Sequence, residues 1–147
     1  MANYNFKVDL KGIIRLLSDN LYSSDKVFLR ELLQNATDAI AARKRVDSAC
    51  PEAKITVTYH RKGNGAELIF ADNGIGLTKE EIHAFLSVIG QSSKRDDTVR
   101  NSYIGQFGIG LLSCFLVANE IKVITRSIAE EKPYQWVGKS DGSYVIT

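Results

Sequence analysis

"FLRELLQNATDAI", residues 28 to 40, decides how the rest of the chain is read. Phe28, Leu32, Ala36, Ala39 and Ile40 recur at helical spacing and mark a stripe meant for burial. Glu31, Asn35 and Asp38 fall at i, i+4 and i+7. At about 100° per residue they share an arc of about 60° along the edge of that stripe. Two readings follow. Ordinary amphipathicity leaves three polar groups exposed beside a core-facing face. Alternatively, a carboxylate, an amide and a second carboxylate are presented together to a ligand. The stretch alone leaves both open, and its surroundings must separate them.

Upstream, "YSSDKVF" offers Ser24 or Asp25 as the cap of a helix running from about Val27 to Val46. Before it, Tyr4, Phe6, Val8 and Leu10 alternate as in a strand, and Ile13, Ile14, Leu16, Leu17 and Leu21 then take helical spacing. Downstream, Pro51 breaks the chain. "KITVTYH" and "AELIFAD", separated by the turn "KGNG", predict a hairpin. Thr78 with Glu81 three residues on is a capping box, opening a helix toward Val88. Residues 90–104 are polar and without period, and predict a surface loop. "IKVITRS", "YQWVG" and "SYVIT" are three further strands. Helices and strands mix without regular β-α-β alternation, so the fold class is α+β. The last strand stops at Thr147 with no closing turn, and the expectation is a fragment of a longer protein.

A chain of 147 residues, 44% hydrophobic and 24% charged, has the size and composition of one globular domain. Its formal charge of +2 argues against nucleic acid or an acidic membrane as partner. Arg43, Lys44 and Arg45 read as a solvated face complementing a helix dipole. No apolar segment follows the N-terminus as in a secretory signal, and the run from Leu111 to Ala118 is too short to span a bilayer. With only Cys50 and Cys114, far apart, a cytoplasmic chain with reduced thiols is expected. His60 and His83 stand alone, without metal-ligand spacing.

Two further clusters bear on the opening question. In "ADNGIGLT", Asp72 ends an apolar strand and Gly74 and Gly76 turn the chain away. A strand-end carboxylate can accept from a ligand amino group and discriminate strongly in a pocket, although D-N-G is also a common turn. In "YIGQFGIGLLSCFLVA", residues 103–118, Gly105, Gly108 and Gly110 precede an apolar helix. The order G-x-x-G-x-G matches neither the dinucleotide fingerprint nor a P-loop. It can still offer backbone N–H groups to phosphate at a helix start, or simply make a tight turn.

The three clusters in this order resemble the ATP-binding fold shared by DNA gyrase, heat-shock chaperones of the 90-kilodalton class, histidine kinases and MutL-type repair proteins. "YSSDKVFLRELLQNATDAI", "DNGIGLT", "IGQFGIGLLSCFLVA" and the following "VIT" are most similar to the chaperones, in the wording of a divergent bacterial branch. The resemblance runs from about Phe6 to Thr147. It implies a two-layer sandwich with a mixed, mostly antiparallel sheet covered on one face by helices (the Bergerat-type fold). Residues 1–147 would be the N-terminal ATP-binding domain, cut before its last strands, with middle and C-terminal domains absent.

The resemblance also implies roles. Glu31 would be the general base for ATP hydrolysis and Asn35 a Mg²⁺ ligand through its amide oxygen. Asp38 and Ala39 would line the nucleotide, Asp38 through water. Asp72 would receive the adenine amino group, with Gly76 and Thr78 close by. Leu77, Leu86 and Leu111 would wall the base or flank the phosphates. Gly105, Gln106, Phe107, Gly108, Ile109 and Gly110 would supply backbone N–H groups to the phosphates, with Lys94 nearby. Phe85 and Gln91 depart from the family pattern, which commonly has a polar residue and a lysine there. Implied partners are ATP or ADP, unfolded client proteins through the missing domains, and a second copy in a homodimer. A DNA-processing ATPase of the gyrase or MutL kind, and a nucleotide-gated interaction module without hydrolysis, are the alternatives.

Overall fold

The structure is a computed structural model and describes residues 2–5, 26–90 and 110–147. Helix α1 spans Val27–Val46, the bounds that the periodicity predicts, and buries Ala36 and Ile40. Lys26 occupies its N-cap without a side-chain capping bond; Ser24 and Asp25, the predicted caps, lie outside the described residues. Strand β1 covers Ala2–Asn5, and the predicted continuation toward Leu10 also lies outside them.

The hairpin forms as predicted, from β2 (Ile55–Lys62) and β3 (Gly65–Asp72), with Ile55 opposite Asp72 and Lys62 opposite Gly65. Helix α2 follows at Lys79–Gly90. Thr78 caps it: its hydroxyl accepts the Glu81 N–H at 3.1 Å and donates to the Glu81 carboxylate at 3.1 Å. The apolar run after the glycines is a short helical segment whose last turn, Ser113–Leu116, is 3₁₀. The predicted loop at 90–104 lies outside the described residues beyond Gly90.

The three C-terminal strands are β4 (Glu120–Thr125), β5 (Tyr134–Lys139) and β6 (Ser143–Ile146). With β1 they make a four-stranded sheet in the order β1-β6-β5-β4, while β2 and β3 form a sheet of two. Every described pairing is antiparallel. The period of two sorts the larger sheet into faces. Ile121, Val123, Tyr134, Trp136, Tyr144 and Ile146 share one face and join a core with Leu77, Ile82, Leu111, Leu112 and Phe115. Lys122 and Ile124 point the other way, and Ile124 stays exposed. Helices therefore cover one face of an antiparallel sheet, the predicted α+β arrangement.

Trp136 anchors this core at 1% exposure, with its indole over Gly138 and its ring centroid 6.2 Å from that of Tyr144. A side chain at Gly138 would occupy the space of the indole. Ser113, fully buried, donates its hydroxyl to the Gly110 carbonyl, so burial leaves no unmade bond there.

Candidate functional site

Two distant segments meet α1 along one side. The first is the start of the 110–116 helical segment. Gly110 is buried, and a Cβ there would lie 3.0 Å from Glu31 Oε2 and 3.6 Å from Asn35 Oδ1. Glu31 and Asn35, one turn apart, thus face the end of the glycine-rich stretch across a gap that only a missing side chain keeps open. Asn35 Nδ2 is buried with no hydrogen-bond partner among the described residues. A buried, unpaired amide donor costs stability, so this one stands out among the described residues. Glu31 is half-buried, and Arg30, mostly exposed, stands 3.7 Å from its Oε1, too weak a contact to hold it.

The second segment is the loop after β3. Asp72 ends the strand, and its Oδ1 accepts the Gly74 N–H at 2.8 Å. The Ile75 N–H donates to the Ala39 carbonyl of α1 at 3.0 Å, and the Ile75 carbonyl accepts from Ile128 N–H at 3.0 Å. A Cβ at Gly74 would overlap Ala39. Gly76 has a φ of +69°, and a Cβ there would collide with the Arg126 carbonyl. Leu77 N–H then donates to the Thr125 hydroxyl at 2.9 Å, and the Leu77 side chain enters the core at 4% exposure. The loop is wedged between α1 and the end of β4.

Asp72 keeps an exposed edge, yet partial burial raises its carboxyl above the ordinary carboxylate range, opposed by the Gly74 N–H. No bond to its Oδ2 is made among the described residues. One oxygen is held by the Gly74 N–H and the other is unbonded among the described residues.

The predicted residues divide as follows. Glu31, Asn35 and Gly110 come together at one stretch of α1; one to two turns further along Ala39 meets Gly74 and Ile75 in the loop that Asp72 opens, while Gly76 packs against Arg126 instead. Asp38 lies on the same side, half-buried, and accepts from Gln34 Nε2 at 2.9 Å. Leu111, like Leu77, is a core residue, at 4% exposure. The Thr78 hydroxyl is engaged in capping α2. Leu86 falls on α2. Lys94, Gly105, Gln106, Phe107, Gly108 and Ile109 lie outside the described residues.

Reasoning from the sequence missed Arg43. The sequence groups it with Lys44 and Arg45 as a solvated face, and the structure corrects this: its side chain is 20% exposed, with Nε donating to Asp47 Oδ2 at 3.1 Å and a terminal nitrogen to the Asn73 carbonyl at 2.8 Å. The i,i+4 spacing from Arg43 to Asp47 was a signal for the first contact. Nothing local signalled the second, 30 residues away.

Comparison with known proteins bears on this geometry. Residues 22–143 match the family model described as histidine kinase-, DNA gyrase B- and HSP90-like ATPase. Over 99% of its length the chain is 34% identical to the chaperone protein HtpG of Orientia tsutsugamushi, of which it covers 25%. It is 32% identical to HtpG of Treponema pallidum, again over 99% of this chain and 25% of the relative. A mitochondrial TNF receptor-associated protein 1 homolog from Dictyostelium discoideum is 35% identical over 97% of this chain and 22% of its own length. The chain spans about a quarter of the length of these relatives.

Proposed function

The chain belongs to the family of histidine kinase-, DNA gyrase B- and HSP90-like ATPases, and from that membership we propose that it is the ATP-binding and ATP-hydrolysing module of a heat-shock-90-type chaperone. One observation carries the reading: α1 works as a ruler with a polar site at each end. Glu31 and Asn35 meet Gly110 at one end, and Ala39 meets the Asp72 loop at the other. The eight residues from Glu31 to Ala39 cover about 12 Å at 1.5 Å per residue, the length scale of a nucleoside with its phosphates. A purine amino group donates to the open oxygen of Asp72, and the phosphates lie toward Gly110.

The residues present fit a nucleotide with Mg²⁺. The buried, unpartnered Asn35 Nδ2 is a donor free for a phosphate oxygen, and the side-chain-free space at Gly110 leaves room beside the Asn35 Oδ1. Asn35 Oδ1 would hold the cation, an oxygen donor suited to a hard ion. Bound Mg²⁺ would offset charge on the phosphate oxygens. Glu31 orients a water for in-line attack and takes its proton on a carboxylate oxygen. Gly105, Gln106, Phe107, Gly108 and Ile109 are proposed to give backbone N–H groups to the phosphates, with Lys94, Leu86 and Thr78 around the nucleotide and Asp38 reaching it through water.

In the longer protein, nucleotide state would control association of two copies and the handling of unfolded clients by other domains. A cytoplasmic setting agrees with two unbridged cysteines. Among the described residues no helix is long and apolar enough to cross a membrane. The test is calorimetry with Mg-ADP. Wild type binds and Asp72→Asn does not, because the acceptor becomes a mismatched amide. Equal affinity in the two would refute the assignment. In the full-length protein, Glu31→Ala keeps ATP affinity and loses turnover by ~10²-fold or more; undiminished turnover would reduce Glu31 to a structural residue.

A further inference from the structure

Arg43 and Asp72 lie on opposite sides of a single peptide group. The guanidinium donates to the Asn73 carbonyl at 2.8 Å, and the N–H of that same peptide, on Gly74, donates to Asp72 Oδ1 at 2.8 Å. We propose that Arg43 is a positioning residue for recognition of the adenine amino group, acting on Asp72 through the Asn73–Gly74 peptide. The inference rests on the nucleotide reading of the site and adds to it a residue that touches no ligand.

The physical case has three parts. A cationic donor on a carbonyl polarises the peptide and strengthens its N–H as a donor, so the bond to Asp72 gains from the charge on Arg43. That bond decides which carboxylate oxygen is tied down and which faces the ligand. Arg43 is itself aimed: Asp47 Oδ2 accepts from its Nε at 3.1 Å, and Asp47 Oδ1 is fixed by the Ala49 N–H at 3.1 Å. Held at two points of its planar fork, the guanidinium has little freedom to leave.

Asn73 completes the clasp from the other side. Its N–H donates to the Lys54 carbonyl at 3.3 Å, its Oδ1 accepts from Lys54 N–H at 2.9 Å, and its Nδ2 donates to the Glu52 carbonyl at 2.7 Å. The turn carrying Asp72 is therefore gripped by the segment before β2 and by the end of α1 together. A plain D-N-G turn requires neither grip. The orientation of one carboxylate, on which a selective hydrogen bond depends, does.

Discrimination separates positioning from mere support. Calorimetry on the full chain compares ADP with inosine diphosphate, which carries a carbonyl where adenine has its amino group. Wild type prefers ADP. Arg43→Met keeps the apolar stem and removes the donors, and it lowers that preference by about tenfold, the scale of one charge-assisted hydrogen bond made poorly. Arg43→Lys restores part of it by reaching the Asn73 carbonyl alone. A general loosening would weaken both nucleotides alike, so an unchanged preference in Arg43→Met, with its circular dichroism intact, overturns the proposal. If Arg43→Met does not fold, Asp47→Ala decides in its place, since it removes the acceptor that aims the guanidinium and leaves its stem intact; an unchanged preference there is equally fatal. If wild type binds no ADP, or Asp72→Asn keeps the full preference, the nucleotide reading itself has failed, and Arg43 is not at fault.

Discussion

Asp72 serves two masters with opposite signs. Partial burial holds its carboxyl above the ordinary carboxylate range, so between its unfolded and folded values the native chain binds more protons than the unfolded one. Its contribution to stability is then present at acid pH and is lost as pH rises through the folded value. Ligand binding runs the other way, because the amino group needs the ionised oxygen as acceptor. ADP affinity therefore climbs over the same interval, from the ordinary aspartate value up through the raised folded one, in which the contribution of Asp72 to apo stability declines. Asp72→Asn removes both slopes: thermal melts then show a less pH-dependent, slightly more stable apo protein near neutrality. A melting temperature in Asp72→Asn below wild type at pH 7 would mean that the charge is structurally needed. Gly110 makes a second prediction at this scale. Gly110→Ala places a methyl 3.0 Å from Glu31 Oε2, and the flexible carboxylate swings away rather than the backbone. Turnover should fall more than tenfold, while ADP binding at the Asp72 end changes little; an unaffected rate would show that Glu31 tolerates displacement.

Among the elements, those defined by local pattern were legible and those defined by partnership were not. Alternation in "KITVTYH" and "AELIFAD", and the 3.6 period through Ile40, gave β2, β3 and α1 with bounds within two residues. The Thr78–Glu81 spacing gave the start of α2 and its capping hydroxyl. Strand order is different in kind. That β1 pairs with β6 joins residues more than a hundred positions apart, and no neighbouring residue encodes it. The same limit hid Arg43 and Thr125, whose importance lies in the backbone groups they reach, Asn73 C=O and Leu77 N–H. Convergence of Glu31 with Gly110 was legible only through resemblance to a family, since spacing on α1 alone left simple amphipathicity standing. The loop after β3 supplies this scale's prediction. Gly76→Ala combines a φ of +69° with a Cβ against the Arg126 carbonyl. It should cost about 1–3 kcal/mol from backbone conformation alone, and more where the loop shifts. Because the loop is tied to α1 and β4, ADP affinity should fall with stability; a melting temperature equal to wild type would show that the wedge is loose.

At the scale of the whole molecule, nucleotide site and core are one mechanical unit, and Cys114 can report on it. The thiol lies in the 110–116 segment, buried at 7% exposure, and burial pushes it up to about 12. A thiol so protonated and enclosed is almost unreactive toward alkylating reagents while the fold is closed. Modification must await an opening that separates this segment from Ile121, Trp136 and α1. Gly110, which faces Glu31, is four residues away in the same segment, so the opening that exposes Cys114 also dismantles the phosphate end of the site. A ligand bound only to the closed form lowers the open population by its occupancy factor. In a Cys50→Ser background, ADP at a hundred times its Kd should therefore slow alkylation of Cys114 by about 100-fold when closing outruns labelling. Asp72→Asn should show no such slowing at the same ADP concentration. Protection of Cys114 by ADP in wild type and its loss in Asp72→Asn would tie the residue that ends β3 to the packing of the core. Equal labelling rates with and without saturating ADP would mean that the segment opens independently of the site, and that the two ends of the ruler are not read together.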